Sequence, residues 1–314
     1  MHTRNDSVNG FSGHALVTGG AGFIGSLLTR KLLDRGFEVT VLDNLSVGTR
    51  AAVDKRARFF EGDVRDRDTV SASLEGVDCV FHLAARVTVR GSLEMFYKDV
   101  DTNLMGTLNL FRCLNPEKIR RFTLASSMAV YADSETPQPL PETYTCDPIS
   151  VYGTSKLAAE RIALRVLADK KIPFSALRYF NTYGPGQTYT PYVGVITIFV
   201  NRLSQGQEPE IYGDGRQTRD FVHVEDITDG TIASLSGPPG CYNLGTGRGI
   251  SVLELADLIS EKINPSLKPV FLPSHPGELR NSVADIKAAQ NGFGYKPVHD
   301  LKNEIETVIE QIKG

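Results

Sequence analysis

The chain has 314 residues, of which 41% are hydrophobic and 23% are charged, and its formal net charge is −3. This length suits one large α/β domain with a smaller attached lobe, and the lack of a long Lys and Arg block excludes nucleic acid and anionic membranes as main partners. No apolar run reaches the roughly 18 residues of a membrane span, and the four cysteines lack metal-ligand spacing, so we expect a cytoplasmic protein with reduced thiols and no metal.

Residues 1–12 are polar and lack the apolar segment of a signal peptide, so they are predicted to be a flexible tail. The first half then alternates short apolar runs with stretches of helical periodicity, which is typical of a doubly wound parallel (Rossmann) sheet. Strands are predicted near 14–18, 37–42, 57–61, 78–82, 119–125 and 172–178. Helices are predicted at 23–35, 93–114 and 150–169.

After Asn181 the pattern changes, because Gly and Pro cluster and the elements become short and mixed. Helices are predicted at 195–204, 224–235, 251–263 and 299–312, with a loop at 213–220. We therefore divide the chain into an NAD-binding Rossmann domain at 13–180 and a mainly substrate-binding mixed α/β lobe at 181–314, some of whose elements return to the first domain. The two are expected to share a cleft at the carboxyl ends of the strands.

A glycine-rich turn leads from the first strand into the first helix. Gly19, Gly22 and Gly25 are three residues apart, which permits a tight turn, a close approach of a pyrophosphate, and packing of helix on strand. The amino end of the helix then presents N–H groups and a partial positive charge to phosphates. Such a glycine pattern alone is a weak signal.

Two acidic residues after the next strands strengthen this prediction. Asp43 ends the second strand, eighteen residues after Gly25, where a carboxylate holds the adenosine ribose and disfavours the extra phosphate of NADP. Asp63 and Val64 follow the third strand, where the adenine is expected. Alternatively, each Asp serves only its own turn. The pattern favours NAD.

Tyr152 and Lys156 are four residues apart on a predicted helix, so their side chains lie on one face. A lysine ammonium and the positive nicotinamide ring both lower the pKa of a nearby tyrosine, which then acts as a base. Ser127 follows a predicted strand at the same edge of the sheet and is suited to hydrogen-bond a reacting oxygen. The alternative is a surface Tyr–Lys pair with a turn serine.

Six motifs in chain order carry a family resemblance. The sequence resembles the extended short-chain dehydrogenase/reductases, and within them the nucleotide-sugar epimerases and dehydratases. The motifs are Gly19-Gly-Ala-Gly-Phe-Ile-Gly25, Asp43-Asn-Leu-Ser46, His82-Leu-Ala-Ala85, Asn103-Leu-Met-Gly-Thr-Leu-Asn109, Ser126-Ser-Met-Ala-Val-Tyr131 and Tyr152-Gly-Thr-Ser-Lys156.

The resemblance implies an NAD enzyme with Ser127, Tyr152 and Lys156 as catalytic residues. It implies cofactor contacts from Gly19, Gly22, Phe23, Ile24, Gly25, Asp43, Asn44, Asp63, Val64, Leu83, Ala84, Ala85, Asn103, Tyr152, Lys156 and Tyr179. It also implies a UDP-sugar substrate, bound by Val87, Ser127, Asn181, Val195, Tyr212, Arg219, His275, Glu278 and Ser282.

The resemblance says more about four of these substrate contacts. Asn181 and Arg219 are expected to bind the diphosphate, for which the planar guanidinium is well suited. His275 stands where relatives commonly carry a phosphate-binding Arg, and Arg280 is a candidate to replace that contact. Ser282 stands where a bulky side chain limits the substituent at C2, so its small size leaves room for an N-acetyl group.

Met128 and Ala129 narrow the reaction. Related dehydratases carry an acidic pair directly after the serine or threonine, and related decarboxylases keep the Glu, whereas neither residue here transfers protons. The sequence therefore favours reversible epimerisation at C4 of a UDP-hexose through a 4-keto sugar. The alternatives are a 4,6-dehydratase, a UDP-glucuronate decarboxylase or 4-epimerase and, more remotely, a non-catalytic dinucleotide sensor.

The helices at 93–114 and 150–169 are expected to form the interface of a homodimer. Alternatively, they only cover their own sheet.

Overall fold

A computed structural model describes residues 13–87, 95–187, 194–274 and 279–313. The predicted tail at 1–12, the start of the predicted helix at 93–114, and the predicted substrate residues His275 and Glu278 lie outside these ranges. Within the ranges, we found no helix with both the length and the apolar character needed to cross a membrane.

The strands and helices follow one another through the described chain. The strands are β1 (His14–Thr18), β2 (Glu38–Asp43), β3 (Arg58–Glu61), β4 (Cys79–His82), β5 (Arg121–Ser127), β6 (Phe174–Tyr179), β7 (Asn181–Tyr183), β8 (Glu210–Tyr212), β9 (Thr218–Arg219), β10 (Phe221–His223), β11 (Gly240–Leu244), β12 (Ile250–Ser251), β13 (Val270–Leu272) and β14 (Asn281–Ser282). The helices are α1 (Phe23–Asp34), α2 (Arg67–Ser73), α3 (Phe96–Val100), α4 (Gly106–Cys113), α5 (Val151–Asp169), α6 (Val195–Ser204), α7 (Val224–Ala233), α8 (Val252–Ile263), α9 (Lys287–Phe293) and α10 (Leu301–Lys313).

Seven parallel strands form the central sheet in the order β11-β6-β5-β4-β1-β2-β3. The chain winds outward from β1 in both directions, so the strand order reverses between β1 and β4. In such sheets the loops at the carboxyl ends diverge at the reversal and open a crevice. The predicted doubly wound Rossmann fold is confirmed.

Both faces of the sheet are buried under helices, as the sequence pattern predicts for parallel strands. Successive residues of β1 point to opposite faces: Leu16 packs in a cluster with Leu110 and Phe122, whereas Val17 packs in a cluster with Leu28. This burial on both sides explains why the strands read as continuous apolar runs.

Two parts of the fold differ from the sequence-based expectation. The predicted helix at 93–114 is divided by a π-helical turn at Asp101–Met105, which lies between α3 and α4. The predicted loop at 213–220 contains β9, which pairs with β12 and β14. In addition, β11 returns from beyond residue 181 to form an edge of the central sheet beside β6.

Candidate active site

A cleft of about 1620 Å³ opens at the carboxyl ends of the central strands. It is lined by most of the residues that the sequence singles out. These are Gly19, Gly22, Phe23, Ile24, Gly25, Asp43, Asn44, Asp63, Val64, Leu83, Ala84, Ala85, Val87, Ser127, Tyr152, Lys156, Tyr179, Asn181, Val195, Tyr212 and Arg219.

The glycine turn has the backbone geometry that a phosphate loop requires. Gly19 has φ +73°, in the left-handed region that favours glycine, and a Cβ on Gly25 would lie 2.1 Å from the Gly19 carbonyl oxygen. Helix α1 starts directly after Gly22, and no described side chain caps its amino end. The first N–H groups of α1 are thus directed into the cleft without a side-chain acceptor, which suits a pyrophosphate.

Asp43 joins the end of β2 to this glycine turn. Its two carboxylate oxygens accept hydrogen bonds from the backbone N–H of Ala21 at 2.9 Å and of Leu45 at 2.8 Å. Each oxygen keeps a further lone pair for a hydroxyl donor, since a carboxylate offers about four acceptor positions. The Asn44 amide donates to Asp63 at 2.8 Å, so the residues expected at the adenosine end lie together.

Tyr152, Lys156 and Ser127 meet on the opposite wall. The first turn of α5 carries Tyr152, which is buried and hydrogen-bonded to Ser127 at the end of β5. The Lys156 ammonium donates to the Ala125 carbonyl oxygen at 2.9 Å, and burial lowers the pKa of this lysine to about 8. At neutral pH Lys156 therefore remains mostly protonated, although its proton is held weakly.

The ionisation of Tyr152 is set mainly by burial. Burial raises the pKa of Tyr152 to about 12, and the hydrogen bond with Ser127 lowers it only in part. From the sequence we expect Lys156 together with the nicotinamide ring to lower this pKa. The protein alone does not lower the pKa of Tyr152, because the free-energy cost of removing the phenolate from water exceeds the stabilisation by the surrounding side chains.

Asn103 was predicted to contact the cofactor, but it is not part of the cleft wall. It is buried on the π-helical turn, where its side chain accepts from the Arg86 N–H at 2.7 Å and donates to the Arg86 carbonyl at 3.0 Å and to Ser155 at 3.2 Å. These bonds tie the segment after β4, which does line the cleft, to helix α5.

Four of the predicted substrate residues from beyond residue 180 also line the cleft, namely Asn181, Val195, Tyr212 and Arg219. Arg219 on β9 is buried, and its guanidinium donates to the Thr218 carbonyl oxygen at 2.8 Å. The side-chain oxygen of Asn181 is buried and has no described protein partner, which leaves it available to a bound ligand.

Ser282 and Arg280 do not face the cleft in the way that a direct substrate contact requires. Ser282 pairs with Arg219 across β9 and β14 but is fully buried and absent from the cleft wall, because its strand packs inside the smaller lobe. The guanidinium of Arg280 forms two bonds with Asp214, at 2.7 and 2.9 Å. Arg280 is thus already paired in this structure.

Comparison with known proteins decides the family. The model of the NAD dependent epimerase/dehydratase family matches residues 15–245. The chain belongs to this family. It is an NAD-dependent epimerase of the isomerase class, with its glycine turn and Tyr–Lys pair inside the matched region.

Relatives resemble this epimerase along nearly its whole length. The UDP-glucose 4-epimerase of Lacticaseibacillus casei is 33% identical over 94% of both chains. The crystal structure of the Thermotoga maritima UDP-glucose 4-epimerase with UDP-glucose superposes with a TM-score of 0.91 at 33% identity, covering 96% of this chain and 98% of that one. A UDP-N-acetylglucosamine 4-epimerase from Methanobrevibacter ruminantium, in complex with UDP-N-acetylmuramic acid, gives a TM-score of 0.87 at 31% identity, covering 96% and 97%.

Two further residues of the epimerase, one in the cleft wall and one behind it, were not selected from the sequence. Gln217 lies two positions before Arg219, lines the cleft, and has a buried side-chain oxygen without a described protein partner. The sequence carried no signal for Gln217, because it directly precedes β9, and a strand of two residues is too short to show periodicity. Glu160 lies behind the cleft wall and continues the four-residue spacing of Tyr152 and Lys156 along α5, so its position on the same helix face could be predicted from the sequence.

Replacing Gly25 with alanine should weaken NAD binding by about 10- to 100-fold, because overpacking costs about 1–3 kcal/mol. The added methyl group would lie 2.1 Å from the Gly19 oxygen and 2.8 Å from the Gly20 Cα, so the phosphate loop must move. Calorimetric titration of the NAD-free protein measures the effect. The control is Gly240→Ala on β11, where the methyl group first meets the Tyr242 ring at 3.3 Å. Equal NAD affinity in the Gly25→Ala variant and the wild type would contradict this account of the loop.

Proposed function

We propose that the enzyme epimerises C4 of a UDP-hexose, interconverting UDP-glucose and UDP-galactose. The observation that carries the proposal is the part of the cleft wall formed by Ser127, Tyr152 and Lys156. The two residues that directly follow Ser127 in this wall are Met128 and Ala129. This wall provides a base and a hydrogen-bond donor for one hydroxyl group. It provides no second acid at the two positions where dehydration or decarboxylation requires one.

In the proposed mechanism, Tyr152 removes the proton of the C4 hydroxyl and later returns it. Ser127 hydrogen-bonds the same oxygen and stabilises the ketone that develops. Lys156 adds a positive charge one helical turn away and favours the tyrosinate. When bound, NAD supplies the acceptor that takes the C4 hydride and returns it to the opposite face. Gly19, Gly22, Gly25 and Asp43 would hold it.

Inversion requires the 4-keto sugar to turn while the nucleotide stays bound. We assign that anchoring role to Arg219 and Asn181, which lie together at the substrate end of the cleft. Arg219 is buried, so its interaction with a diphosphate is less screened by water than an exposed pair. The unpartnered Asn181 oxygen suits a sugar or ribose hydroxyl, whereas its amide suits the phosphate.

The sugar range of the enzyme is a separate proposal. The small Ser282 next to Arg219 favours acceptance of N-acetylhexosamines beside glucose and galactose, and one structural neighbour is named for UDP-N-acetylglucosamine. Because Ser282 lies behind the cleft wall, we expect its size to act through the packing of β9 rather than by direct contact.

We also propose that the enzyme is a homodimer. Helices α3 and α5 pack against each other and leave Phe96, Tyr97 and Leu164 largely exposed on this side of the molecule. Exposed apolar side chains that cluster on neighbouring helices are typical of a subunit interface. Sedimentation equilibrium should give twice the chain mass of 34.4 kDa.

Product analysis with UDP-glucose, UDP-N-acetylglucosamine, UDP-glucuronate and dTDP-glucose tests the proposed reaction. We expect the C4 epimer from UDP-glucose without dehydrated or decarboxylated products, and without release of NADH in amounts matching the substrate. A 4-keto-6-deoxy sugar or a pentose as the main product would identify the alternative reactions. Turnover of UDP-N-acetylglucosamine below a hundredth of that of UDP-galactose would reject the N-acetyl proposal alone.

A further inference from the structure

A second group of charges lies directly behind the reacting side chains. Tyr152, Lys156 and Glu160 follow one another at four-residue spacing on α5, and all three are buried. Glu160 is in turn paired with Arg178 on β6, which is 4% exposed. Four ionisable groups thus form a continuous buried row that runs from the cleft into the protein.

The carboxylate of Glu160 is fixed from three directions. The Arg178 guanidinium donates to both of its oxygens, at 3.1 and 2.8 Å, and the Ser126 hydroxyl donates to one of them in a short hydrogen bond. The Cys241 thiol lies 3.7 Å from the second oxygen. Arg178 is itself held by the Glu142 carbonyl at 3.1 Å and by the Tyr131 ring at 4.8 Å from its centroid.

The fixed carboxylate of Glu160 affects both the protonation and the position of the Lys156 ammonium group. An isolated buried ammonium group loses its proton easily, and Glu160 is the anion that opposes this loss. However, a carboxylate free to move would form an ion pair with Lys156 and draw the ammonium away from the cleft. The bidentate bond with Arg178 prevents that movement. Instead, the ammonium group donates to the Ala125 carbonyl oxygen.

We propose that Glu160 and Arg178 are positioning residues that set the charge of Lys156. The Glu160 carboxylate offsets the Arg178 cation and so favours the protonated lysine, and Arg178 holds Glu160 in place, so that the ammonium group acts on Tyr152. The proposal rests on the roles given above to Tyr152 and Lys156. It assigns a function in the reaction to a buried ion pair that contributes little net stability by itself.

The other ionisable groups around this row do not replace Glu160. His82 on β4 faces Lys156 but is neutral, because burial lowers its pKa to about 3, and its ring nitrogens bond Thr18 and Thr107. Asp99 on α3 acts on Tyr152 and is bonded by Arg86 at 3.3 Å. Glu142 lies beyond Arg178, where its carboxylate accepts the Asn243 N–H at 2.8 Å.

The pH profile of kcat tests the proposal in three variants. In Glu160→Gln the uncompensated Arg178 cation should move the alkaline limb about 1 to 3 pH units lower, which is the usual range for a neighbouring charge. The substrate KM should change less than about twofold, since neither residue lines the cleft. The double variant Glu160→Gln/Arg178→Met, without either charge, should recover at least half of that shift. Glu142→Gln is the matched control and should keep the wild-type profile.

Cys241 provides a second readout that does not depend on activity. Burial and the Glu160 carboxylate raise the pKa of this thiol to about 12. Removing the carboxylate in Glu160→Gln should therefore speed alkylation of Cys241 by iodoacetamide at least about tenfold at pH 8, as read from the Cys241 peptide by mass spectrometry. This rate reports whether the charge beside Lys156 has changed.

Two results would overturn the proposal. One is an alkaline limb of the Glu160→Gln profile that lies within about 0.3 pH units of the wild-type limb, roughly the error of such a fit. This holds whether or not Cys241 reacts faster. The other is a double variant shifted as far as the single variant. Either result, with Tyr152→Phe inactive, rejects only the role of the ion pair. Normal turnover in Tyr152→Phe would instead reject the mechanism on which it rests.

Discussion

Replacing Tyr152 with phenylalanine should lower kcat by about 100- to 10,000-fold, the usual contribution of a positioned general base. The hydroxyl is the atom lost, whereas the ring keeps its packed position on the first turn of α5, where the side chain is 6% exposed. Neither Ser127 nor Lys156 replaces it, because a serine hydroxyl is far less acidic and the lysine is mostly protonated at neutral pH.

The measurement should separate chemistry from binding. We expect the Tyr152→Phe variant to retain NAD and to bind UDP-galactose, but to show no fast reduction of bound NAD at 340 nm after substrate is added. Tyr242→Phe is the matched control, since it removes a partly buried hydroxyl that donates to the Pro238 carbonyl at 2.8 Å. That change should cost about 0.5–1.5 kcal/mol of stability and leave kcat unchanged. Near-normal turnover by Tyr152→Phe would exclude the tyrosine as the base.

Six of the seven strands of the central sheet were predictable because each has a local signal. The apolar runs that contain β1, β2 and β4 are long enough, and apolar enough on both faces, to separate them from the amphipathic helices between them. By contrast, β11 reads as one more short segment, and only its pairing with β6 places it in the sheet. The strands of two or three residues, such as β9, carry no measurable periodicity.

The π-helical turn shows a different limit. Residues Asp101–Met105 have the same helical spacing as α3 and α4, so the sequence predicts one continuous helix across them. What creates the turn is tertiary: Asn103 must reach both Arg86 and Ser155. Such a wide turn changes the direction of a single side chain without changing the hydrophobic pattern.

The site was predictable where spacing along one element decides the geometry. The glycine turn and the Tyr152–Lys156 pair were predictable for this reason, because in each the residues that act together are only a few positions apart in the sequence. The direction of the Tyr152 pKa shift was not predictable from the sequence, since it depends on how deeply the folded chain buries the phenol. The partner of Glu160 was equally hidden, because the register of β5 and β6 sets Ser126 next to Arg178.

Replacing Lys156 with methionine should reverse the pH dependence of the enzyme. Methionine has a similar length and no charge, so the tyrosinate loses its nearest cation and kcat at pH 7 should fall by about 10- to 1,000-fold. Burial already raises the pKa of Tyr152 to about 12 with Lys156 in place, and the variant lacks the one nearby cation that favours the tyrosinate, so its turnover should rise about tenfold per pH unit through the alkaline range.

The wild type should behave in the opposite way, because burial lowers the pKa of Lys156 to about 8 and its charge is lost as the pH rises above that value. The two kcat profiles must therefore approach each other between about pH 8 and pH 10, measured with saturating substrate. Lys156→Arg is the charged control and should not gain activity with pH, since a guanidinium keeps its proton throughout. Parallel profiles for the wild type and Lys156→Met would mean that the lysine only positions its neighbours, and that its charge does not ionise Tyr152.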